Sequence, residues 1–169
     1  MGHSRDLMSA MRLCHCLLAE GSVLERVRRS QPDLLDEHIL HAAMLCTEAG
    51  RSALRKIYKE YLAIGASFDL PMIVLTPTWR ASRSRLRAAG FSDDCDVNRD
   101  AVLFLRDVCA EYGSYSSEVF VGGLLACAND AYRPEETLTR CQAEEYHAPQ
   151  AAALAEAGVD FLLAATLPA

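Results

Sequence analysis

Apolar residues along the chain alternate between short continuous runs and longer stretches of helical period. The short runs cover residues 14–21 (CHCLLAEG), 72–76 (MIVLT), 118–123 (EVFVGG) and 161–166 (FLLAAT). Each run is too short for a typical helix, and each is bounded by turn residues or polar residues, so we predict four strands. Continuous apolar runs are typical of strands that are buried on both faces, as in a parallel sheet.

Helical periodicity occupies the intervals between the predicted strands. The most regular stretch is 51–66, where Leu54, Ile57, Tyr58, Tyr61 and Leu62 fall on one stripe. The predicted helices cover residues 22–29, 36–46, 51–66, 81–89, 98–112 and 139–157.

Local signals mark several of these boundaries. A turn is expected at Gly50, and Asn98 is a suitable N-cap for the helix that follows it. Thr139 and Gln142 form a capping-box pattern. Pro149 should bend the last helix because proline cannot donate a backbone hydrogen bond. Gly158 is a natural left-handed stop.

The order of the elements is strand, helices, strand, helices, strand, helix, strand. This alternation predicts an α/β fold with a parallel sheet covered by helices. No G-x-G-x-x-G follows any predicted strand, so a dinucleotide-binding fold has little support. Residues 1–169 contain no internal repeat and no low-complexity linker, and we expect one domain.

Composition narrows the function classes. The net charge of −6 argues against a nucleic-acid partner, because such binding requires basic surface. No apolar run approaches the roughly 20 residues that span a bilayer, so no membrane partner is expected. The first residues lack the features of a secretion signal. Seven irregularly spaced cysteines predict reduced thiols in a cytoplasmic protein.

Several strings resemble the homocysteine S-methyltransferase family, whose fold is a (β/α)8 barrel. They are IYKEYLAIGA, LTPTWRAS, DVNRDAVLFLRD, VFVGGLLACANDAYRPEE and YHAPQAAALAEAGVDFLLAATLP. The resemblance covers residues 13–169 and implies the first four strand–helix units of a TIM barrel, with an extra helix before the second strand. A complete barrel has eight strands in about 250 residues. We therefore expect a half or truncated barrel whose open strand edges are covered by a homo-oligomer or by a second half-barrel.

The resemblance also implies where a substrate would bind. Active sites of such barrels lie at the carboxyl ends of the strands. The expected substrate-binding residues are Glu20, Gly21, Thr76, Thr78, Trp79, Gly122, Gly123 and Thr166.

The chain departs from the family pattern at all four strand ends. At the third, Leu124 and Leu125 replace the small polar residues that are often seen in the family. Glu20 stands where the family has an Asp that is thought to hold the substrate's amino group. Pro77 replaces an Asn, and Ala165 replaces a Glu, which weakens the case for homocysteine itself. Simpler interpretations stay open: Glu20 as a solvated loop carboxylate, Trp79 as a core-edge residue, and the Gly pair as tight packing.

The family's chemistry uses zinc to hold a substrate thiol as thiolate. The cysteine ligands of the family come from later strands, so zinc is expected for the family but no metal ligand is assigned in this chain. Cys14 and Cys16 would share one face of a strand and His15 the other, so the three cannot meet at one ion. His38 and His41 could form a metal pair on a helix, but no third ligand is evident.

The resemblance implies transfer of a methyl group to a thiol amino acid such as homocysteine, with a small-molecule methyl donor that the sequence does not identify. We expect the chain alone to be inactive, with catalysis requiring the zinc-binding half, and we assign no catalytic residue. The alternatives are a non-catalytic truncated barrel and a metal-free small-molecule binding module, either acting as an oligomer.

Overall fold

The structure is a computed structural model that describes residues 6–92 and 95–167. Its strands are β1 Leu18–Ala19, β2 Met72–Leu75, β3 Val119–Ala126 and β4 Phe161–Ala165. Its α-helices are α1 Leu7–Leu13, α2 Val23–Ser30, α3 Glu48–Phe68, α4 Arg83–Ala88, α5 Val97–Ala110 and α6 Arg140–Glu156. Short 3₁₀ segments cover Pro32–Leu34, His41–Cys46, Gly113–Glu118 and Pro134–Glu136.

The strands form one parallel sheet in the order β1-β2-β3-β4, so neighbours in the chain are also neighbours in the sheet. In the register, Leu18 is paired with Met72 and Leu75 is paired with Gly122. Helices connect successive strands, because parallel strands need a long crossover between them. The predicted α/β class with a parallel sheet is confirmed.

The main core lies between the sheet and the helices. Met72 and Val74 of β2 are buried in it, together with Val121 of β3. On α3 the fully buried side chains are Leu54, Tyr58 and Leu62, at the helical spacing that the sequence predicts. The rings of Tyr58 and Phe104 of α5 meet edge to face at 6.3 Å. Because Met72 and Val74 are the β2 residues buried in this core, the even-numbered side chains of β2 face the helices.

The two outer strands of the sheet are less covered than the inner two. All residues of β2 and β3 are buried or half-buried, whereas Leu162 and Leu163 of β4 are 42% and 39% exposed. In β1, Leu18 packs against the main core while Ala19 is exposed. Both outer strands leave one edge of backbone without a sheet partner among the described residues.

The predicted boundaries of α6 are confirmed. The Thr139 side chain accepts from the Gln142 backbone while the Gln142 side chain accepts from Thr139, which is a complete capping box. Pro149 lies inside the helix. Gly158 has φ of 90°, in the region that favours glycine, and it ends the element before β4 begins.

The prediction of a first strand over residues 14–21 is wrong in its extent. The strand is limited to Leu18–Ala19, and a helix that the apolar pattern did not reveal, α1, precedes it. Asp6 caps α1 by accepting from the Ser9 backbone, and Cys14 is its C-cap. Cys14 and Cys16 therefore lie before the strand and not on one of its faces.

The helix predicted over residues 36–46 is not formed as an α-helix. Asp36 Oδ1 accepts hydrogen bonds from the backbone of His38 and Ile39, which competes with a helical turn. Asp36 and Leu40 then form an antiparallel bridge, and Leu40 has φ of 52°. Only residues from His41 onward are helical, as a 3₁₀ segment.

Gly50 lies inside the first turn of α3 and not in a turn before it, because Thr47 is the N-cap. A Cβ on Gly50 would lie 2.6 Å from Cα of Met44 and closer still to its carbonyl oxygen. The helix can therefore start this close to the preceding 3₁₀ segment only with glycine at this position.

Asn98 is not an N-cap either, because Asp96 caps α5 by accepting from the Arg99 backbone. The helix ends at Ala110, before the expected Tyr112. Strand β3 runs on to Ala126, beyond the expected Gly123. None of the helices within 6–92 and 95–167 is both long enough and apolar enough to cross a lipid bilayer.

Candidate functional site

A cavity of about 390 Å³ opens at the carboxyl ends of the strands. Strand ends contribute apolar walls, and the start of α2, the 3₁₀ segment and α3 contribute polar groups. The lining residues are Glu20, Gly21, Ser22, Val23, Leu24, Glu25, Arg28, His41, Tyr58, Leu75, Thr76, Trp79, Leu124, Leu163 and Ala165. In parallel α/β folds this end of the sheet is where ligands bind.

Glu20 follows β1 directly and points its carboxyl group into the protein. The residue as a whole is half-buried, but Oε2 is buried and has no hydrogen-bond partner. Burial raises the pKa of Glu20 well above its ordinary range, and a hydrogen bond from the Leu75 backbone opposes this only in part. One oxygen of this carboxyl group, Oε2, therefore lacks both a hydrogen-bond donor and a cation.

His41, the first residue of its 3₁₀ segment, is a second ionisable group in the wall. It is 3% exposed, and its buried Nδ1 has no hydrogen-bond partner. Burial lowers the pKa of His41 to about 4, with a smaller contribution from the positive charge of Arg28. The imidazole is consequently neutral at pH 7.

Other polar groups of the lining already have partners. The Tyr58 hydroxyl donates to the Leu75 carbonyl at 2.8 Å. Arg28 pairs with Glu25 on the same helix. The Ser22 hydroxyl caps α2 by accepting from the Glu25 backbone at 3.2 Å. These groups line the cavity, but their hydrogen-bonding needs are already met within the protein.

The two threonines at the end of β2 hold neighbouring strands together. Their hydroxyls are 2.7 Å apart, Thr78 donates to the Leu124 carbonyl at 2.8 Å, and Thr76 accepts from the Leu124 backbone at 3.0 Å. Both residues are almost completely buried. Thr76 still lines the cavity, but the Thr78 hydroxyl is directed to β3.

Below the threonines, a buried amide network fixes the position of α6. Gln150 Nε2 donates to the Thr78 carbonyl at 2.8 Å and lies 3.1 Å from Asn98 Oδ1. Asn98 in turn donates to the Ala81 carbonyl at 3.0 Å. This network explains why Asn98 is buried at the start of α5 instead of capping it.

The remaining expected site residues have different surroundings. Trp79 is half-buried in the cavity wall, with the Arg80 guanidinium 4.7 Å from its ring centre. A Cβ on Gly122 would lie 2.7 Å from Leu75 Cδ2 and closer still to Phe161 Cζ. The glycine therefore serves close packing between strands.

The second glycine and the last expected residue also lie away from the cavity. A Cβ on Gly123 would lie 2.8 Å from Leu162 Cδ2 and 3.1 Å from Leu154. Thr166 follows β4 with φ of 56°, and its hydroxyl donates to the Ala165 carbonyl.

The structure thus brings half of the expected residues to one cavity. Glu20, Gly21, Thr76 and Trp79 line it, whereas the other four, Thr78, Gly122, Gly123 and Thr166, do not. Sequence reasoning missed His41 and Tyr58 as wall residues. The signal for His41 was a histidine within the apolar residues Ile39 to Leu45, a position where a polar side chain is unexpected.

The described residues do not fit a zinc site. Within 6–92 and 95–167 no three His, Cys, Asp or Glu side chains are grouped so that they could hold a metal ion. The cysteines are free and dispersed. Burial raises the pKa of Cys109 to about 12, so this side chain is a protonated thiol at neutral pH, whereas zinc binds the thiolate.

The sequence of the chain matches a known protein family. Residues 17–169 match the family model described as homocysteine S-methyltransferase. A comparison with curated protein sequences gives no match. The matched region includes the whole sheet and every strand end that opens into the cavity. The chain therefore belongs to the homocysteine S-methyltransferase family.

Proposed function

We propose that the cavity binds the amino-acid part of a thiol substrate such as homocysteine, for transfer of a methyl group to the thiol. The observation that carries the proposal is the buried, unpartnered Oε2 of Glu20. A cationic ammonium group would supply the missing charge and the missing hydrogen bonds. Of the eight expected substrate-binding residues, we propose Glu20, Gly21, Thr76 and Trp79 as contacts of the substrate, because they line the cavity. We propose that the other four, Thr78, Gly122, Gly123 and Thr166, act indirectly, by positioning the strand ends.

The electrostatics of Glu20 favour a cationic ligand. A buried carboxyl group is held in its neutral form by the cost of burying charge, and an opposite charge nearby restores the carboxylate. Binding of an ammonium group would therefore release the Glu20 proton and form a charge-assisted hydrogen bond, which is stronger than a neutral one. Ligand affinity should accordingly rise with pH through the raised pKa of Glu20.

The fold proposal is that residues 1–169 are one partial domain, the first four strand–helix units of a (β/α)8 barrel. It is supported by the parallel order β1-β2-β3-β4 and by the position of the cavity at the carboxyl ends. The outer edges of β1 and β4 would be covered by a second half-barrel or by another copy of the chain. We also propose a cytoplasmic location, because free cysteines are typical of a reducing compartment.

Zinc would hold the substrate thiol as a thiolate in this family's chemistry. Because the described residues offer no suitable group of ligands, we propose that the metal and its ligands come from outside residues 6–92 and 95–167. The part of the chain that the structure describes would bind and orient the amino acid. The methyl donor is a small molecule that these residues do not identify.

A metal-free binding module is the second proposal. Ala165 lines the cavity at the position where the family resemblance leads us to expect a Glu. An alanine can neither bind an amine nor carry a proton, so this strand end contributes only an apolar wall. Under this alternative the chain binds a small amine and catalyses no transfer.

Binding of L-homocysteine by calorimetry under reducing conditions tests the first proposal. Wild-type protein should bind it, and Glu20→Gln, which keeps the shape but removes the charge, should lose at least tenfold in affinity. Glu60→Gln is the matched control, because Glu60 pairs with Arg26 outside the cavity. Failure of the wild type to bind, or equal affinity of Glu20→Gln and wild type, contradicts the proposal.

Product formation separates the two proposals. The wild-type chain is incubated with homocysteine, zinc and a panel of methyl donors, with and without the zinc-binding half-barrel of a family member, because the metal ligands are proposed to lie outside residues 6–92 and 95–167. The methylated thiol is measured by mass spectrometry. Binding without methylation in every combination supports the binding module for this chain. Zinc-dependent methylation that Glu20→Gln abolishes supports the methyltransferase.

A further inference from the structure

His41 occupies a position that packing alone does not explain. The 3₁₀ segment that begins with it contributes Ala42, Met44 and Leu45 to the main core, and these residues are at most 5% exposed. His41 is equally buried, yet its Nδ1 has no hydrogen-bond partner. An apolar residue would fill the same place without leaving a polar atom unsatisfied, and such orphan atoms are rare and costly.

The residue that carries the unsatisfied nitrogen lines the Glu20 cavity. Neighbouring polar groups are engaged elsewhere: Arg28 pairs with Glu25, and the Tyr58 hydroxyl donates to a backbone carbonyl. Among the cavity's described side chains, the buried atoms without a partner are His41 Nδ1 and Glu20 Oε2. A ligand that donates hydrogen bonds would satisfy both atoms, whose residues line the same cavity.

We propose that His41 is a ligand-binding residue of this cavity, whose Nδ1 accepts a hydrogen bond from the same primary ammonium group that Glu20 binds. The inference rests on the proposed function and adds a second contact to it. A neutral imidazole has one acceptor nitrogen, and an ammonium group has three N–H donors. One ammonium group can therefore donate to a carboxylate and to an imidazole simultaneously.

The neutral state of His41 suits this role. A protonated imidazole would repel a cationic ligand and would have no acceptor nitrogen. Burial and the nearby positive charge of Arg28 both keep the imidazole neutral at pH 7. Glu20 thus supplies a negative charge to the ammonium group, and His41 supplies a neutral nitrogen that accepts a hydrogen bond from one of its N–H groups.

This arrangement predicts selectivity for primary ammonium groups. A trimethylated amine carries the same charge but has no N–H, so it can donate no hydrogen bond to Glu20 Oε2 or to His41 Nδ1. A site that hydrogen-bonds a ligand group rejects an analogue that lacks it, because its own buried polar atoms are then unpaired. Charge attraction to Glu20 alone would not discriminate in this way.

Three substitutions at one position test the role of Nδ1. His41→Leu removes both ring nitrogens, His41→Asn keeps a polar atom at about the position of Nδ1, and His41→Gln extends its amide toward the position of Nε2. Affinities for L-homocysteine and for its N,N,N-trimethyl derivative are measured by calorimetry at pH 7. Melting temperatures are measured without ligand.

Wild-type protein should prefer homocysteine over the trimethyl derivative by at least tenfold. His41→Leu should lose about tenfold in affinity for homocysteine, which corresponds to one hydrogen bond to a charged group. His41→Asn should stay within about threefold of wild type, and His41→Gln should resemble His41→Leu. His41→Leu should also melt at a higher temperature than wild type, because it removes an unsatisfied buried nitrogen; a structural histidine would give the opposite sign.

The outcomes separate this inference from the proposed function. If wild type binds homocysteine and Glu20→Gln does not, but His41→Leu binds as wild type does, His41 is no ligand contact and the inference is overturned alone. Equal affinities of wild type for homocysteine and its trimethyl derivative also overturn it. If wild type binds neither compound, the proposed function fails and the inference fails with it. Lower melting temperatures for both His41→Leu and His41→Asn, with affinities unchanged, assign His41 a packing role.

Discussion

The buried imidazole of His41 makes the stability of the fold depend on pH. Its pKa is about 4 in the folded protein, against 6.5 for an ordinary histidine. Because the unfolded chain binds the proton more tightly, it takes up a proton between pH 6.5 and pH 4 while the folded chain does not. The contribution of His41 is therefore fully present above pH 6.5 and is lost as the pH falls toward 4.

The magnitude follows from the difference between the two pKa values. Each pKa unit corresponds to about 1.4 kcal/mol. Lowering the pH from 7 to 4 should therefore cost about 3 kcal/mol of unfolding free energy through His41 alone. That is a large part of the roughly 5–15 kcal/mol by which domains are stable.

The assay is urea denaturation at pH 7 and pH 4, followed by circular dichroism. His41→Leu has no group that titrates at this position, so its loss of stability over the same range should be smaller by about 3 kcal/mol. Glu20→Gln controls for the neighbouring carboxyl group. The raised pKa of Glu20 acts in the opposite direction, since its stabilisation is greatest at low pH and is lost as the pH rises through the folded pKa.

Equal losses of stability in wild type and His41→Leu would refute the reasoning. Such a result would mean that the imidazole titrates in the folded protein as it does in the unfolded chain, which is incompatible with a 3% exposed side chain surrounded by core residues. The burial of the His41 side chain would then be wrong.

Three further substitutions test contacts of β3 and α6 by urea denaturation. Gly122→Ala should cost about 1–3 kcal/mol, because its Cβ would collide with Phe161; an unchanged midpoint would show that the strands can separate there. Gln150→Leu should cost about 1–3 kcal/mol by leaving the Thr78 carbonyl without its donor, and a neutral effect would mean that water replaces the amide. Thr139→Ala should cost about 1 kcal/mol by removing a helix cap, and a loss above 3 kcal/mol would contradict a purely local role.

Local signals predicted most of the helices and strands. The stripe on α3, the capping box at Thr139 and the stop at Gly158 depend on residues within a few positions of one another, so the sequence expresses them directly. Local competition caused the main error, because the Asp36 side chain binds two nearby backbone N–H groups and prevents the α-helix that the apolar spacing suggests.

The candidate site was only half predictable. The resemblance to a barrel family led us to expect Glu20 and Trp79 at the strand ends, and both line the cavity. It did not show that Thr78 hydrogen-bonds across to β3, or that Gly122 packs against Phe161. These contacts join residues that are about 40 positions apart, and no local pattern encodes them.

By itself, the sequence determined the α/β class, the parallel strands and the family, because periodicity, turn residues and motif order are properties of the linear chain. Tertiary structure alone decided which polar groups are buried without partners. Glu20 and His41 are 21 residues apart, and they line the same cavity only because the sheet and the 3₁₀ segment pack against one core. Burial by distant residues sets their pKa values, and with them the charge that a ligand meets.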